Sequence, residues 1–184
     1  MLNAAPVMAD ELDDVLARAR GGDPAAFGDI VRRYQGMVFS LALHYLRDRA
    51  AAEDLAQDVF LELFRSLGQL VSPAHVKFWL RRVASHRCID TMRRRSHQAE
   101  LKVERMPEPA VRPANGDPLL KDRLQRLIAA LPPHPRMVMI LKYQEDLEPS
   151  EIAAVLSMPV NTVKSHLRRS IEYLRAQLSF GGIA

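Results

Sequence analysis

The spacing of apolar residues along the chain predicts an all-α protein. Apolar positions recur three and four residues apart through both halves, and the strict alternation of a half-buried strand is missing. The clearest stripe lies between Ala52 and Phe64, where the spacing predicts an amphipathic helix with one buried face. Its apolar members are Ala52, Leu55, Ala56, Val59, Phe60, Leu63 and Phe64.

Capping residues divide the remaining pattern into further helices. Asp23-Pro24 and Asp48 are typical N-terminal caps, whereas Gly21-Gly22 and Pro132-Pro133 end the helices before them. The helix after Asp23 is expected to continue past Gly36 to Tyr45. In chain order the predicted helices cover residues 10–20, 24–45, 49–64, 76–95, 118–131, 135–143, 149–156 and 159–178.

A proline-rich stretch separates two helical parts. The segment from Gln98 to Pro118 holds four prolines and the pair Asn115-Gly116, with almost no periodic apolar residue. The prediction is therefore two small helical domains, 1–97 and 118–184, joined by a flexible linker at 98–117. The proline-rich stretch 98–118 spans at most about 70 Å when it is fully extended. Asp117-Pro118 is expected to cap the first helix of the second domain.

Composition narrows the class of protein. Hydrophobic residues make up 48% of the 184 and charged residues 26%, which is typical of a folded globular chain. The acidic start lacks a signal peptide's basic opening and no apolar run is long enough for a bilayer, so a cytoplasmic protein without membrane insertion is expected. The single Cys88 excludes an intrachain disulfide, and no two histidines lie three or four residues apart, so neither metal nor cofactor is expected.

The charge distribution points to a polyanionic partner. The chain carries a net charge of +4, and residues 76–97 hold seven cations against one anion. A second basic stretch covers 121–144, and an acidic patch lies at 145–158. Clustered Lys and Arg bind phosphates by releasing counterions, although an ordinary solvated face has the same composition.

Residues 151–164 match a helix-turn-helix in their sizes and spacings. Ile152, Leu156 and Val163 supply apolar packing positions, and Ala153 is small enough for two helices to approach closely. The second helix of such a unit enters the major groove. Its polar side is expected to contact DNA through Asn161, Thr162, Lys164, Ser165, Arg168 and Arg169, the alternative being the polar surface of a packed helical hairpin.

At these residues the chain resembles the extracytoplasmic-function (ECF) class of bacterial RNA polymerase sigma factors in the sigma-70 family. The run Leu131-Pro132 to Ser165 looks like the family's fourth region, and residues 52–60 with 78–94 look like its second region. The chain departs from the family pattern at His86, where Asn is frequent, and at Ser157, where Gly is common. It departs further at Asn161, where Gly is frequent, and at His166, where Arg is frequent.

The resemblance implies a sigma factor without catalytic residues, which binds core RNA polymerase and recognises the minus-35 and minus-10 promoter elements. It implies contacts with the beta-prime clamp helices and the beta flap, and an anti-sigma factor as a further partner. The implied clamp contact is an acidic helix face formed by Asp54, Gln57, Asp58 and Glu62. The alternative is that this face is only solvated surface.

The melted minus-ten strand is expected on the loop 68–75 and on the basic helix that follows. The cations concerned are Lys77, Arg81, Arg82, Arg87, Arg93, Arg94 and Arg95, all of which are expected to face outward. Trp79 is expected in the core rather than as a stacking platform for bases, and Cys88 as a small core residue rather than a redox sensor.

Two other functions remain open on the residues alone. A regulator acting through the helix-turn-helix without polymerase leaves the acidic helix face and the 76–97 basic helix unexplained. A nuclease needs converging carboxylates, whereas the adjacent pairs Asp13-Asp14 and Glu53-Asp54 point in different directions on a helix.

Overall fold

The computed structural model describes residues 9–101 and 118–180, and within these two segments the chain is helical with short connections. A 3₁₀ turn, Leu67–Gln69, follows the third helix. The helices are α1 Ala9–Arg20, α2 Pro24–Leu46, α3 Arg49–Ser66, α4 Pro73–Leu101, α5 Pro118–Ala129, α6 Pro133–Tyr143, α7 Pro149–Leu156 and α8 Val160–Phe180. The all-α prediction is confirmed.

Side-chain caps set the helix starts in the first half. The Asp23 carboxylate accepts from the backbone N–H of Ala25 at 2.9 Å, and Asp48 accepts from that of Ala51 at 3.1 Å. Both contacts satisfy N–H groups that lack an intrahelical partner. The predicted cap at Asp117 lies outside the described residues, as do residues 102–117 of the predicted linker 98–117, whose residues 98–101 belong to α4.

The basic helix α4 is longer than its sequence pattern indicated. It begins at Pro73 rather than Val76, because the Ser72 hydroxyl accepts from the His75 N–H at 3.2 Å and proline fits the first helical turn. It ends at Leu101, beyond the predicted end at Arg95. Helix α2 is likewise continuous across Gly36.

The core of the first half lies where α2 packs against α1, α3 and α4. Val38, Ala52, Val59 and Leu80 are fully buried there. The predicted α3 stripe is buried except at Ala56, which is partly buried, and at Phe64, which is 58% exposed. Trp79 is partly buried against the core, as expected.

The two halves are packed on each other. Helix α4 contacts α6 and α7, and α2 contacts α6, so that a single apolar cluster includes Leu80 and Cys88 from the first half and Met137, Ile152 and Leu156 from the second. The molecule is thus in a closed arrangement, with both candidate DNA-contacting helices in one compact body.

Candidate nucleic-acid and polymerase interfaces

Helices α7 and α8 form the predicted helix-turn-helix. The two helices are joined by a turn in which Ser157 takes the left-handed conformation, with φ 53° and ψ 45°. The N–H of Met158 donates to the Ala153 carbonyl at 3.0 Å, which closes the turn. Ile152, Leu156 and Val163 are buried between the helices, together with Ala153, so their predicted packing role is confirmed.

The polar side of α8 remains accessible in this arrangement. Asn161, Lys164, Arg168 and Arg169 are exposed, and Thr162 and Ser165 are half-buried beside them. Among the described residues, only Arg168 of these six forms an ion pair, with Glu172 one turn away at 3.5 Å. Amides, hydroxyls and cations on one face suit contacts with base edges and phosphates.

Most cations of α4 are exposed, but they differ in whether they are paired. Lys77, Arg82, Arg93 and Arg94 are exposed. Arg87 and Arg95 are also exposed, but they pair with carboxylates of the first half: Arg87 with Glu62 at 2.5 Å and Arg95 with Asp48 at 3.2 Å.

The expectation that every α4 cation faces outward is wrong for Arg81. Its guanidinium Nε donates to Glu145 of the second half at 2.9 Å, and the Arg81 side chain is only 15% exposed. The sequence pattern placed Arg81 on the solvent side because it treated α4 as part of one isolated domain.

The acidic face of α3 is also divided. Asp54, Asp58 and Glu62 line a groove of about 640 Å³ whose opposite wall is formed by arginines of α4. Glu62 and Asp58 both approach Arg87, Asp58 at 3.9 Å. Part of the carboxylate set predicted for polymerase is therefore neutralised within the chain.

Gln57, the remaining member of that set, lies on another side of α3. It borders an apolar groove between α2 and α3 that includes Phe27, Phe39, Leu61 and Phe64. Leu61 is 56% exposed, and sequence reasoning missed this surface because it assigned Phe64 to the buried stripe. The signal was present, since Leu61 falls outside the stripe's spacing.

A buried cation at the contact between the halves was missed as well. Arg136 is 5% exposed, lies 5.0 Å from the centre of the Tyr45 ring, and donates from Nη1 to the Ala129 carbonyl at 3.2 Å. Burial lowers the pKa of its guanidinium to about 10. Arg136 thus supports the packing rather than a DNA surface.

Cys88 is fully buried, and the described residues hold no cluster of metal-ligating side chains. Burial raises the pKa of the Cys88 thiol to about 12, which keeps it protonated. Among residues 9–101 and 118–180, no three metal-ligating side chains converge on one point. No helix in the same segments is long and apolar enough to cross a membrane.

A helical chain with an accessible helix-turn-helix and a second basic helix is a DNA-binding protein by its fold and surface. A family model described as Sigma-70 region 2 matches residues 30–98, and one described as Sigma-70 region 4 matches residues 121–174. The first match covers α3 and most of α2 and α4, and the second covers α6, α7 and most of α5 and α8.

Known proteins resemble the chain over most of its length. It is 30% identical over 180 residues to the ECF RNA polymerase sigma factor SigW of Bacillus subtilis, covering 89% of this chain and 94% of that one. The chain belongs to the ECF class of the sigma-70 family of RNA polymerase sigma factors.

Two solved structures share the fold. One is the sigma factor RpoE in complex with the anti-sigma factor NepR from Bartonella quintana, with a TM-score of 0.71, 19% identity, and 83% of this chain and 96% of that chain covered. The other is CnrH in complex with the cytosolic domain of CnrY, with a TM-score of 0.66, 23% identity, and coverages of 91% and 97%.

Proposed function

We propose that this protein binds core RNA polymerase, recognises minus-35 and minus-10 promoter elements and promotes transcription initiation. The observation that carries the proposal is the presence, in one chain of this family, of an accessible helix-turn-helix face and a second basic helix. The role is that of a non-catalytic cytoplasmic subunit. The division into 1–97, 98–117 and 118–184 assigns polymerase and minus-ten binding to the first part and minus-35 binding to the last.

The polymerase contact is proposed for the exposed carboxylates of α3. Asp54 and Asp58 are both exposed and point away from the apolar stripe, so a basic or polar partner surface can approach them without disturbing the core. Gln57 and Glu62, on either side of these two carboxylates, complete the surface proposed to contact the clamp helices.

A charge reversal tests this contact. The double variant Asp54→Lys with Asp58→Lys should no longer co-purify with core polymerase, while its helical circular dichroism stays unchanged. Asp13→Lys with Asp14→Lys is the matched control, because those carboxylates are equally exposed on α1. Co-purification of the α3 variant at the wild-type level would show that polymerase binds elsewhere.

The melted minus-ten strand is proposed to lie along the exposed cations of α4. Arg82, Arg93 and Arg94 are the sharpest probes, because Arg81, Arg87 and Arg95 are held in ion pairs in the closed form. The whole set of seven becomes available only if those pairs are exchanged for phosphates.

Permanganate reactivity of promoter thymines measures this opening directly. Holoenzyme with Arg82, Arg93 and Arg94 changed to Gln should bind promoter DNA but leave its thymines unreactive, and a pre-melted bubble should restore transcription. Neutralising Arg20, Arg32 and Arg65, three exposed arginines outside α4, should leave opening intact. Wild-type opening by the α4 variant would contradict the assignment.

Both solved relatives are held by a second protein. The sigma factor RpoE is in complex with the anti-sigma factor NepR, and CnrH is in complex with the cytosolic domain of CnrY. An anti-sigma factor is accordingly proposed as a partner of this chain. The rival regulator that works without polymerase is not favoured, because the Sigma-70 region 2 match covers the half that such a regulator would not use.

A further inference from the structure

One ion pair joins the two halves of the molecule through a residue proposed to hold DNA. Arg81 of α4 donates to Glu145, which lies in the connection between α6 and α7, at 2.9 Å. The two side chains are 15% and 11% exposed, which makes this pair far less accessible than the other ion pairs of the described residues.

Further contacts accompany the pair along the same face of the first half. The His86 ring Nε2 lies 3.3 Å from the Val155 carbonyl, near the end of α7. The Tyr45 hydroxyl donates to the Pro133 carbonyl at 3.2 Å. The second half thus contacts α4 at two points, Arg81 through Glu145 and His86 through Val155, while Arg82, one turn before His86, stays exposed.

We propose that the Arg81–Glu145 pair is a latch that holds the free protein closed and keeps Arg81 from single-stranded DNA. The inference rests on the proposed function, since it takes Arg81 as a strand-binding residue. A carboxylate and a phosphate compete for the same guanidinium donors, so Arg81 cannot bind a strand while Glu145 occupies it.

Loss of the Glu145 charge is expected to destabilise the closed form rather than the fold of either half. Removing the charge of Glu145 leaves a nearly buried cation without its partner, and such a cation strongly destabilises the state that contains it. Opening lets Arg81 reach water, so the penalty disappears in the open form.

The full chain tests the latch by fluorescence energy transfer between dyes on introduced cysteines at Ala17 and Ala176, two exposed alanines in different halves. Glu145→Gln should lower the transfer efficiency and tighten binding of a 12-nucleotide single-stranded DNA about tenfold, by raising the fraction of binding-competent molecules. Asp146→Asn is the matched control. It removes the same charge one residue away, is exposed, and has φ 52°, which Asn tolerates, so it should behave as wild type.

A charge swap separates the pair from general damage. Arg81→Glu combined with Glu145→Arg should restore the transfer efficiency that Glu145→Gln loses, because the opposite charges face each other again. Unchanged transfer in Glu145→Gln, persistent opening in the swap, or opening without tighter strand binding would each overturn the latch. Run-off transcription by the wild-type holoenzyme reports separately on the proposed function, so a failure there is distinguishable from a failure of closure.

Discussion

At the scale of single residues, burial decides which polar groups act within the molecule and which are offered to a partner. Arg136 and Arg168 are both arginines of the second half, yet one is 5% exposed over the Tyr45 ring and the other is exposed on α8. The sequence pattern separates them only in part. Whether a cation lies between two halves depends on their docking, which neither periodicity nor charge counting contains.

Cys88 gives a residue-scale prediction of chemical inertness. It is fully buried, and its thiol pKa is raised to about 12, so the reactive thiolate is almost absent near neutral pH. Iodoacetamide at pH 8 should modify the native chain far more slowly than the urea-unfolded chain, as followed by mass spectrometry. Equal rates in the two states would show that Cys88 is exposed and reopen a redox role.

His134 gives a prediction on pH. Burial lowers the pKa of its imidazole, and Arg93, His166 and His86 lower it further. The pKa therefore rises on unfolding towards about 6.5, so the unfolded chain binds more protons below that pH and the contribution of His134 to stability is lost as pH falls. Above about pH 7 the contribution is fully present.

Urea unfolding at pH 7.5 and pH 5.5 measures this effect. The free energy of unfolding should fall less on acidification in His134→Gln than in wild type, because the variant has no imidazole to protonate. Parallel losses in the two proteins would place the pH dependence in other groups.

At the scale of elements, caps and apolar periodicity predicted most of the helices, because these signals are local. Asp23, Asp48 and the turn at Ser157 all lie where the sequence placed them. The start of α4 was predicted too late in the sequence. The Ser72 side chain stabilises an earlier start through one hydrogen bond, and apolar periodicity does not reveal such a contact.

The turn of the helix-turn-helix yields a stability prediction. Ser157 is exposed and holds φ 53°, a conformation that costs a non-glycine residue roughly 1 kcal/mol. Ser157→Gly should therefore raise the free energy of unfolding by up to about 1 kcal/mol, whereas Ala154→Gly, at an exposed position within α7, should lower it by about 0.5–1 kcal/mol. Urea unfolding of both variants checks the two signs, and a destabilised Ser157→Gly would contradict the turn geometry.

Helix α8 yields a prediction on promoter binding. Arg168→Ala with Arg169→Ala should weaken binding of the full chain with core polymerase to promoter DNA and reduce the salt slope by about one for each phosphate that is no longer neutralised. Arg175→Ala, an exposed arginine further along α8, is the control that should keep the slope. Asn161→Ala should instead change sequence preference, and an unchanged slope in the double variant would move the DNA contact away from this face.

At the scale of the whole molecule, the sequence predicted two helical parts, each with a basic stretch, but not how the two parts dock. Both the Arg81–Glu145 pair and the burial of Arg136 follow from that docking. The family resemblance predicted roles for the site residues. The structure shows which of their side chains are exposed and which form ion pairs within the chain. In the closed form, the two helices proposed to contact DNA do not expose all of their cations, because Arg81 is paired with Glu145.

The proposed role in initiation is tested by transcription of sheared genomic DNA by core polymerase with and without this protein, followed by sequencing of RNA 5′ ends. The protein should create a set of start sites that core polymerase alone does not use, each preceded by two shared sequence elements. It should do so without any added metal beyond the polymerase's own requirement. If the folded protein co-purifies with core polymerase or binds DNA but creates no new start sites, its assignment as an initiation factor is contradicted.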